Sequence, residues 1–245
     1  RSIGPLDAMH GFLSRCLTSC LYSMLRAIRP EVRWSYSQEG EDLVLSRLFE
    51  NQRHGFYVDI GAHHPFRFSN TYLLSRRGWR GINVDPNPQA MRLFGRLRRR
   101  DINLAIGIAE EAGSRRYFQF NESALNTFDE QLARQREVKD GYQLIASTLV
   151  SVQPLRQVFE QHLPQGQAID VLSVDAEGCD LSVIRSNDWD RFRPYCLLVE
   201  TLQSSLTSLE TNATHQYVSA RGYGLFAKTV NTFIYLDQKS PRQPC

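Results

Sequence analysis

Tyr57-Val58-Asp59-Ile60-Gly61-Ala62-His63-His64-Pro65 is the stretch on which the fold turns. Its apolar run, residues 56–60, breaks at Gly61, as a strand buried on both faces does when it enters a tight loop. Two other runs end the same way. Residues 81–84 close on Asp85-Pro86-Asn87-Pro88, and residues 168–174 close on Asp175-Ala176-Glu177-Gly178. Two of the three place a carboxylate just after the strand and the first has one just before its end, at the edge where open α/β sheets bind ligands.

The flanking sequence alternates in type. Residues 38–51 carry Leu43, Val44, Leu48 and Phe49 at helical spacing, and 70–77, 89–97, 154–161 and 206–220 read as further helices. Residues 102–108 read as a third strand and 195–199 as a fifth, with 168–174 the fourth. Residues 115–120 form an added strand or hairpin arm, and 223–227 with 232–236 a closing hairpin. The pattern predicts an α/β, Rossmann-like domain: a mostly parallel central sheet of about seven strands, helices on both faces and a C-terminal antiparallel hairpin. That domain spans residues 35–245, preceded by an N-terminal helical extension over 1–34. Residues 121–146, polar and weakly periodic, are predicted to be an insertion or mobile lid.

Composition narrows the class. A chain of 245 residues, 42% hydrophobic and 22% charged, supports one globular core. A net charge of +3 is not that of a dedicated nucleic-acid binder. The cysteines, Cys16, Cys20, Cys179, Cys196 and Cys245, are odd in number and lack a CxxC pair. They suggest neither a disulfide framework nor a zinc site, and fit a reducing, cytoplasmic environment. No run reaches the ~18–20 apolar residues that cross a bilayer. Residues 6–28 repeat apolar side chains at helical spacing, with Arg15, Arg26 and Arg29 near the polar side. This helix either packs on the domain or on a second subunit of a homodimer, or lies peripherally on a membrane surface. The chain begins at Arg1 rather than Met, so a native start upstream is expected, and any targeting signal there is invisible.

The loops point to a ligand. A GxGxxG turn would need glycine at 63 and 66, where His63 and Phe66 stand. A pyrophosphate would lack its cradle and would meet Asp59, which argues against NAD or FAD. S-adenosylmethionine (SAM) carries a sulfonium and an ammonium but no phosphate, and suits a carboxylate there. Asp59 and Gly61 are predicted at its amino-acid end, and Asp85 at its ribose hydroxyls. Asn70 either touches the SAM carboxylate or caps the next helix, and Asn103 and Ala105 of the third strand lie by the adenine. Singly, an Asp after a strand is often a turn cap; the ordered set of three carries the reading.

DIGAHHPFRFSNTYLLSRRGWRGINVDPNP, then RDINLAIG, VLSVDAEGCDLSVIRSNDW and LLVE, resembles the FkbM family of class I methyltransferases, as does the upstream SQEGEDLVLSRLF. The resemblance runs over residues 35–236. It implies SAM as methyl donor and O-methylation, often of sugars or glycosylated natural products, so the partner would be a small-molecule or glycan acceptor.

An alcohol is a poor nucleophile and needs its proton removed or its oxygen polarised. Asp175 and Glu177 are the expected catalytic carboxylates, with His63 or its neighbour His64 as a competing base. The plain alternatives are a helix cap and a hydrogen-bonded loop residue. Asp175, Glu177 and Glu200 together offer oxygen ligands for a divalent cation such as Mg²⁺. The run Arg92, Arg96, Arg98, Arg99, Arg100 is read as a solvated helix face, or as a contact for an anionic glycan or membrane surface. Tyr117, Phe118, Phe120 and Phe128 either pack in the core or stack on sugar rings. Three rivals stand beside this reading: a nucleotide-dependent oxidoreductase, disfavoured by the missing glycines; a catalytically degenerate methyltransferase-fold module serving assembly; and a metal hydrolase around His63-His64, which lacks further ligands.

Overall fold

A computed structural model describes residues 33–137, 142–202 and 205–242. The amphipathic helix expected within residues 1–34, with its membrane or dimer contact, lies outside them. Tyr36–Cys245 is one compact unit. In chain order its elements are α1 (Glu41–Leu48), β1 (Phe56–Ile60), α2 (Tyr72–Arg76), β2 (Arg80–Val84), α3 (Pro88–Leu97), β3 (Ile102–Leu104), β4 (Gly107–Ile108) and β5 (Gly113–Phe120). There follow α4 (Glu130–Glu137), β6 (Leu144–Gln153), α5 (Leu155–His162), β7 (Val171–Val174), α6 (Asp180–Arg185), β8 (Cys196–Glu200), α7 (Ala213–Ser219), β9 (Tyr223–Lys228) and β10 (Thr232–Asp237).

Seven strands form the main sheet in the order β3-β2-β1-β7-β8-β10-β9. The first five run parallel, and β10 is antiparallel to both β8 and β9. Strand order reverses between β1 and β7, which opens a crevice at their carboxyl ends. This is a Rossmann-like arrangement, with the expected closing hairpin.

Side chains alternate across the sheet and bury both faces. Phe56, Val58 and Ile60 pack with Leu172, Val174, Leu197 and Val199 against Leu155 and Val158 of α5 and Ile184 of α6. Tyr57 packs with Val171, Cys196 and Leu198 on the opposite face, against Leu45 and Leu48 of α1 and Leu74 of α2. At ~25 cal/mol per Å² such burial dominates stability, which is why these strands read as unbroken apolar runs. The helix after β2 starts where the sequence punctuates it: Asn87 accepts a hydrogen bond from the Gln89 N–H, and Pro88 fills the first turn.

Three segments differ from the sequence reading. The strand expected over 102–108 splits: Ile102–Leu104 pairs with β2, but Gly107 and Ile108 pair with β6 in a second sheet of order β4-β6-β5. Glycine suits that crossing, because a Cβ on residue 107 would lie 2.5 Å from the Phe128 ring. Where described, residues 121–146 hold a 3₁₀ turn (Ser123–Leu125), α4 and the start of β6, regular elements that their weak periodicity does not predict. The helix expected over 206–220 divides into a 3₁₀ segment (Leu206–Thr211) and α7, because the Asn212 side chain caps the second with a bond from the His215 N–H. Among the described residues no helix is long and apolar enough to cross a membrane.

Candidate active site

A cleft opens at the carboxyl ends of β1, β2 and β7, where the strand order reverses. Gly61 and His63 line it after β1, Asp85 and Pro86 after β2, and Asp175 to Glu177 after β7. Ile106 and Ile108 form an apolar wall. Ser123, Asn126, Thr127 and Phe128 come from the inserted segment and roof the space.

Backbone strain is concentrated here. His63 (φ 51°), Phe68 (φ 54°) and Glu177 (φ 48°) are the described non-glycine residues with positive φ, and all three line the cleft. Such conformations cost of order 1–3 kcal/mol each and gather at functional sites. The His63 backbone is held because its N–H donates to Asp85 Oδ2 at 2.9 Å, while Asp85 Oδ1 accepts from the Asn87 N–H at 2.7 Å. Burial raises the Asp85 carboxyl to about 6 against the pull of those two amides. Burial, with the charges of Arg67 and His64, lowers the His63 imidazole to about 4, so it is neutral at pH 7. Its buried Nε2 has no hydrogen-bond partner among the described residues. His64 turns away: its Nδ1 accepts from the N–H groups of Phe66 and Arg67 and closes the turn.

On the other wall, Asp175, Glu177 and Glu200 each bring a carboxylate oxygen within 4.8 Å of the others. Burial and the charges of Glu200, Glu177 and Asp180 push Asp175 well above the usual carboxylate range. Burial and the charges of Glu177 and Asp180 raise Glu200 to about 8, and burial raises Glu177 against the pull of Arg136. Arg136 of α4 pairs with Glu177, and Thr127 Oγ1 donates to the Glu177 carbonyl at 2.8 Å. Neither Asp175 nor Glu177 serves as a helix cap. Asp180, in the first turn of α6, instead accepts the N–H groups of Ala176 and Gly178 and shapes the loop.

Four residues expected at the ligand, Asp59, Asn70, Asn103 and Ala105, are not in the cleft lining. Ser173, Asp59, Asn83 and Asn103 lie in register across β7, β1, β2 and β3, on the sheet face that Tyr57 shares, and none lines the cleft. Asp59 is 4% exposed and accepts a 2.7 Å hydrogen bond from Thr71 Oγ1. Asn70 donates to Ser173 Oγ, and Asn103 accepts from Asn83. Ala105 is exposed, between β3 and β4. The cleft's share of the third-strand region is Ile106, Gly107 and Ile108.

The Methyltransferase FkbM domain family matches residues 59–225, more than half of the chain, including the loops after β1, β2 and β7 that line the cleft. The chain belongs to the FkbM methyltransferase family. No curated protein and no solved structure matches it.

In this FkbM-family chain the sequence reading missed two arginines. Arg98, grouped with a solvated run, is 4% exposed, whereas Arg92, Arg96, Arg99 and Arg100 are exposed. Its guanidinium donates to Pro65 O, Ser69 Oγ, Thr71 Oγ1 and Asn83 Oδ1, tying α3 to the loop that carries His63. Only the break in helical periodicity before Asp101 hints at it. Arg136 had no signal in a polar stretch. The aromatic residues divide: Tyr117 and Phe128 line the cleft with ring centroids 4.8 Å apart, while Phe118 and Phe120 pack on Ala133.

Proposed function

We propose that this FkbM-family chain is a SAM-dependent O-methyltransferase acting on a hydroxyl of a sugar, glycan or glycosylated natural product. One observation carries the cofactor: the described cleft lining holds three carboxylates, Asp85, Asp175 and Glu177, and no Lys or Arg. Such a lining repels a pyrophosphate and attracts a sulfonium and an ammonium. SAM, when bound, supplies an electrophilic methyl group.

The protein's own groups then have distinct tasks. Asp85 retains lone pairs beyond those given to two amides and can accept from ribose hydroxyls. Ile106 and Ile108 offer an apolar face to a base. His63, neutral and unpartnered, orients a polar group of cofactor or acceptor but is a weak base at about 4. Asp175 and Glu177, with raised proton affinity, are better suited to take the acceptor's hydroxyl proton. A divalent cation such as Mg²⁺ would join at this carboxylate wall, away from the nucleoside end.

The test is methyl transfer from labelled SAM to a panel of glycans and glycosides. Asp85→Ala should weaken SAM binding. Asp175→Asn should retain it and lose roughly 10²-fold or more in turnover. Near-normal turnover in Asp175→Asn overturns the catalytic assignment. The alternative reading, a degenerate module serving assembly, is favoured by Asp59 being committed to the buried polar row. It would show as cofactor binding by the wild-type chain with no transfer to any acceptor.

A further inference from the structure

Three carboxylates held together in a largely buried wall need positive charge or shared protons to stay there. Glu200 ends β8, is 7% exposed, and its Oε2 has no partner; Asp175 Oδ1 is also unpartnered. Both atoms are buried and, among the described residues, no protein donor reaches either; they are satisfied only by a proton shared between the two side chains or by a cation, because an orphaned buried acceptor costs about 1–3 kcal/mol or more. Asp180, the remaining nearby acid, is already satisfied by the amides of Ala176 and Gly178. Glu177 is anchored from outside by Arg136.

We propose that Asp175, Glu177 and Glu200 form a divalent-cation site, on the β8 side of the cleft, that seats the oxygen of the methyl acceptor. The proposal rests on the methyltransferase reading for that last role and on the protein's own charges for the first. Arg136 is the side-chain cation that pairs with the cluster. Arg136 supplies one positive charge; with all three carboxyls ionised, two negative charges would remain, the charge that one divalent ion offsets and that shared protons replace when no ion is bound. All donors are oxygen, the preference of Mg²⁺, Mn²⁺ or Ca²⁺ over softer metals. Three protein ligands leave open positions on an octahedral ion for water and for a hydroxyl or vicinal diol of the acceptor. The ion would lower that hydroxyl's proton affinity as it does for bound water. The competing arrangement is a hydrogen-bonded Asp175–Glu200 pair sharing one proton, which needs no ion.

Mn²⁺ titration of chelator-treated full-length protein, read by electron paramagnetic resonance without cofactor, separates the two. The expected result is one saturable site per chain, weakened at least tenfold in both Glu200→Gln and Asp175→Asn, with Mg²⁺ competing. S-adenosylhomocysteine binding by the same samples reports that each variant is folded. Absence of saturable Mn²⁺ binding by the wild-type chain overturns the proposal, as does unchanged affinity in both variants. Loss of S-adenosylhomocysteine binding by a wild-type chain that still takes up Mn²⁺ counts against the methyltransferase reading and leaves the metal site standing.

Discussion

The carbonyl oxygen of Asp175 occupies the space where residue 61 would carry a Cβ: the two positions are 1.7 Å apart, and Gly61 has φ +76°. The loops after β1 and β7 therefore touch backbone to backbone at the floor of the cleft. Gly61 is fixed by that crossing before any ligand is considered. Gly61→Ala should destabilise the protein by about 3 kcal/mol or more, through the clash and the left-handed backbone together. Urea denaturation measures this; a loss below about 1 kcal/mol would contradict the crossing.

Arg136 and Glu177 join the roof helix to the loop after β7, with side-chain exposures of 8% and 18%. Removing one partner of such a pair leaves a buried charge, at a cost of about 3 kcal/mol. Arg136→Met should therefore lose far more stability than the double variant Arg136→Met/Glu177→Gln relative to Glu177→Gln alone. A double-mutant cycle by chemical denaturation reads the coupling. Additive losses would show that the pair contributes nothing.

Much of the sheet was legible in the sequence. β1, β2, β7 and β8 are buried on both faces, so they appear as apolar runs, the first three closed by Gly61, Asp85 and Asp175. β6 was not, because half of Leu144–Gln153 is exposed and one residue, Val152, is buried, so no buried apolar run marks it. At the site, positions after strands were legible and face parity was not. Asp59 stands one residue before the end of β1 and so shares the face of Tyr57, while Ile60 turns to the cleft. Asn103 follows Asp59 and Asn83 by register. Reading the period of two through to the strand end places both on the face opposite Ile60, away from the cleft lining.

Arg98 braces the loop from behind, with bonds of 2.9 Å to Pro65 O and 2.8 Å to each of Ser69 Oγ and Thr71 Oγ1. A lysine ammonium cannot span that fork. Arg98→Lys should cost about 2–4 kcal/mol, with two or more buried acceptors left unpaired, and weaken S-adenosylhomocysteine binding several-fold as His63 loses its support. Thermal unfolding with calorimetric titration tests both; wild-type values in each would remove Arg98 from this role.

His63 gives a pH signature. Burial depresses its pKa from 6.5 to about 4, so the unfolded chain takes up its proton first as pH falls. The stability His63 contributes is present above about 6.5 and is lost as pH drops toward 4. Relative to His63→Gln, the wild-type chain should lose up to about 2 kcal/mol between pH 7 and pH 5. Denaturation at the two pH values checks the difference, and NMR should show the imidazole still neutral at pH 5.5. An imidazole titrating near 6.5 would refute this assignment.

Calorimetric titration of the purified chain with S-adenosylhomocysteine and, separately, NAD⁺ tests the acidic cleft most directly. A cleft lined by Asp85, Asp175 and Glu177, with no Lys or Arg among its described lining residues, should bind S-adenosylhomocysteine with a dissociation constant on the order of micromolar and give no heat with NAD⁺. Binding of NAD⁺, or no binding of S-adenosylhomocysteine by folded protein, would contradict the assignment of this cleft to SAM.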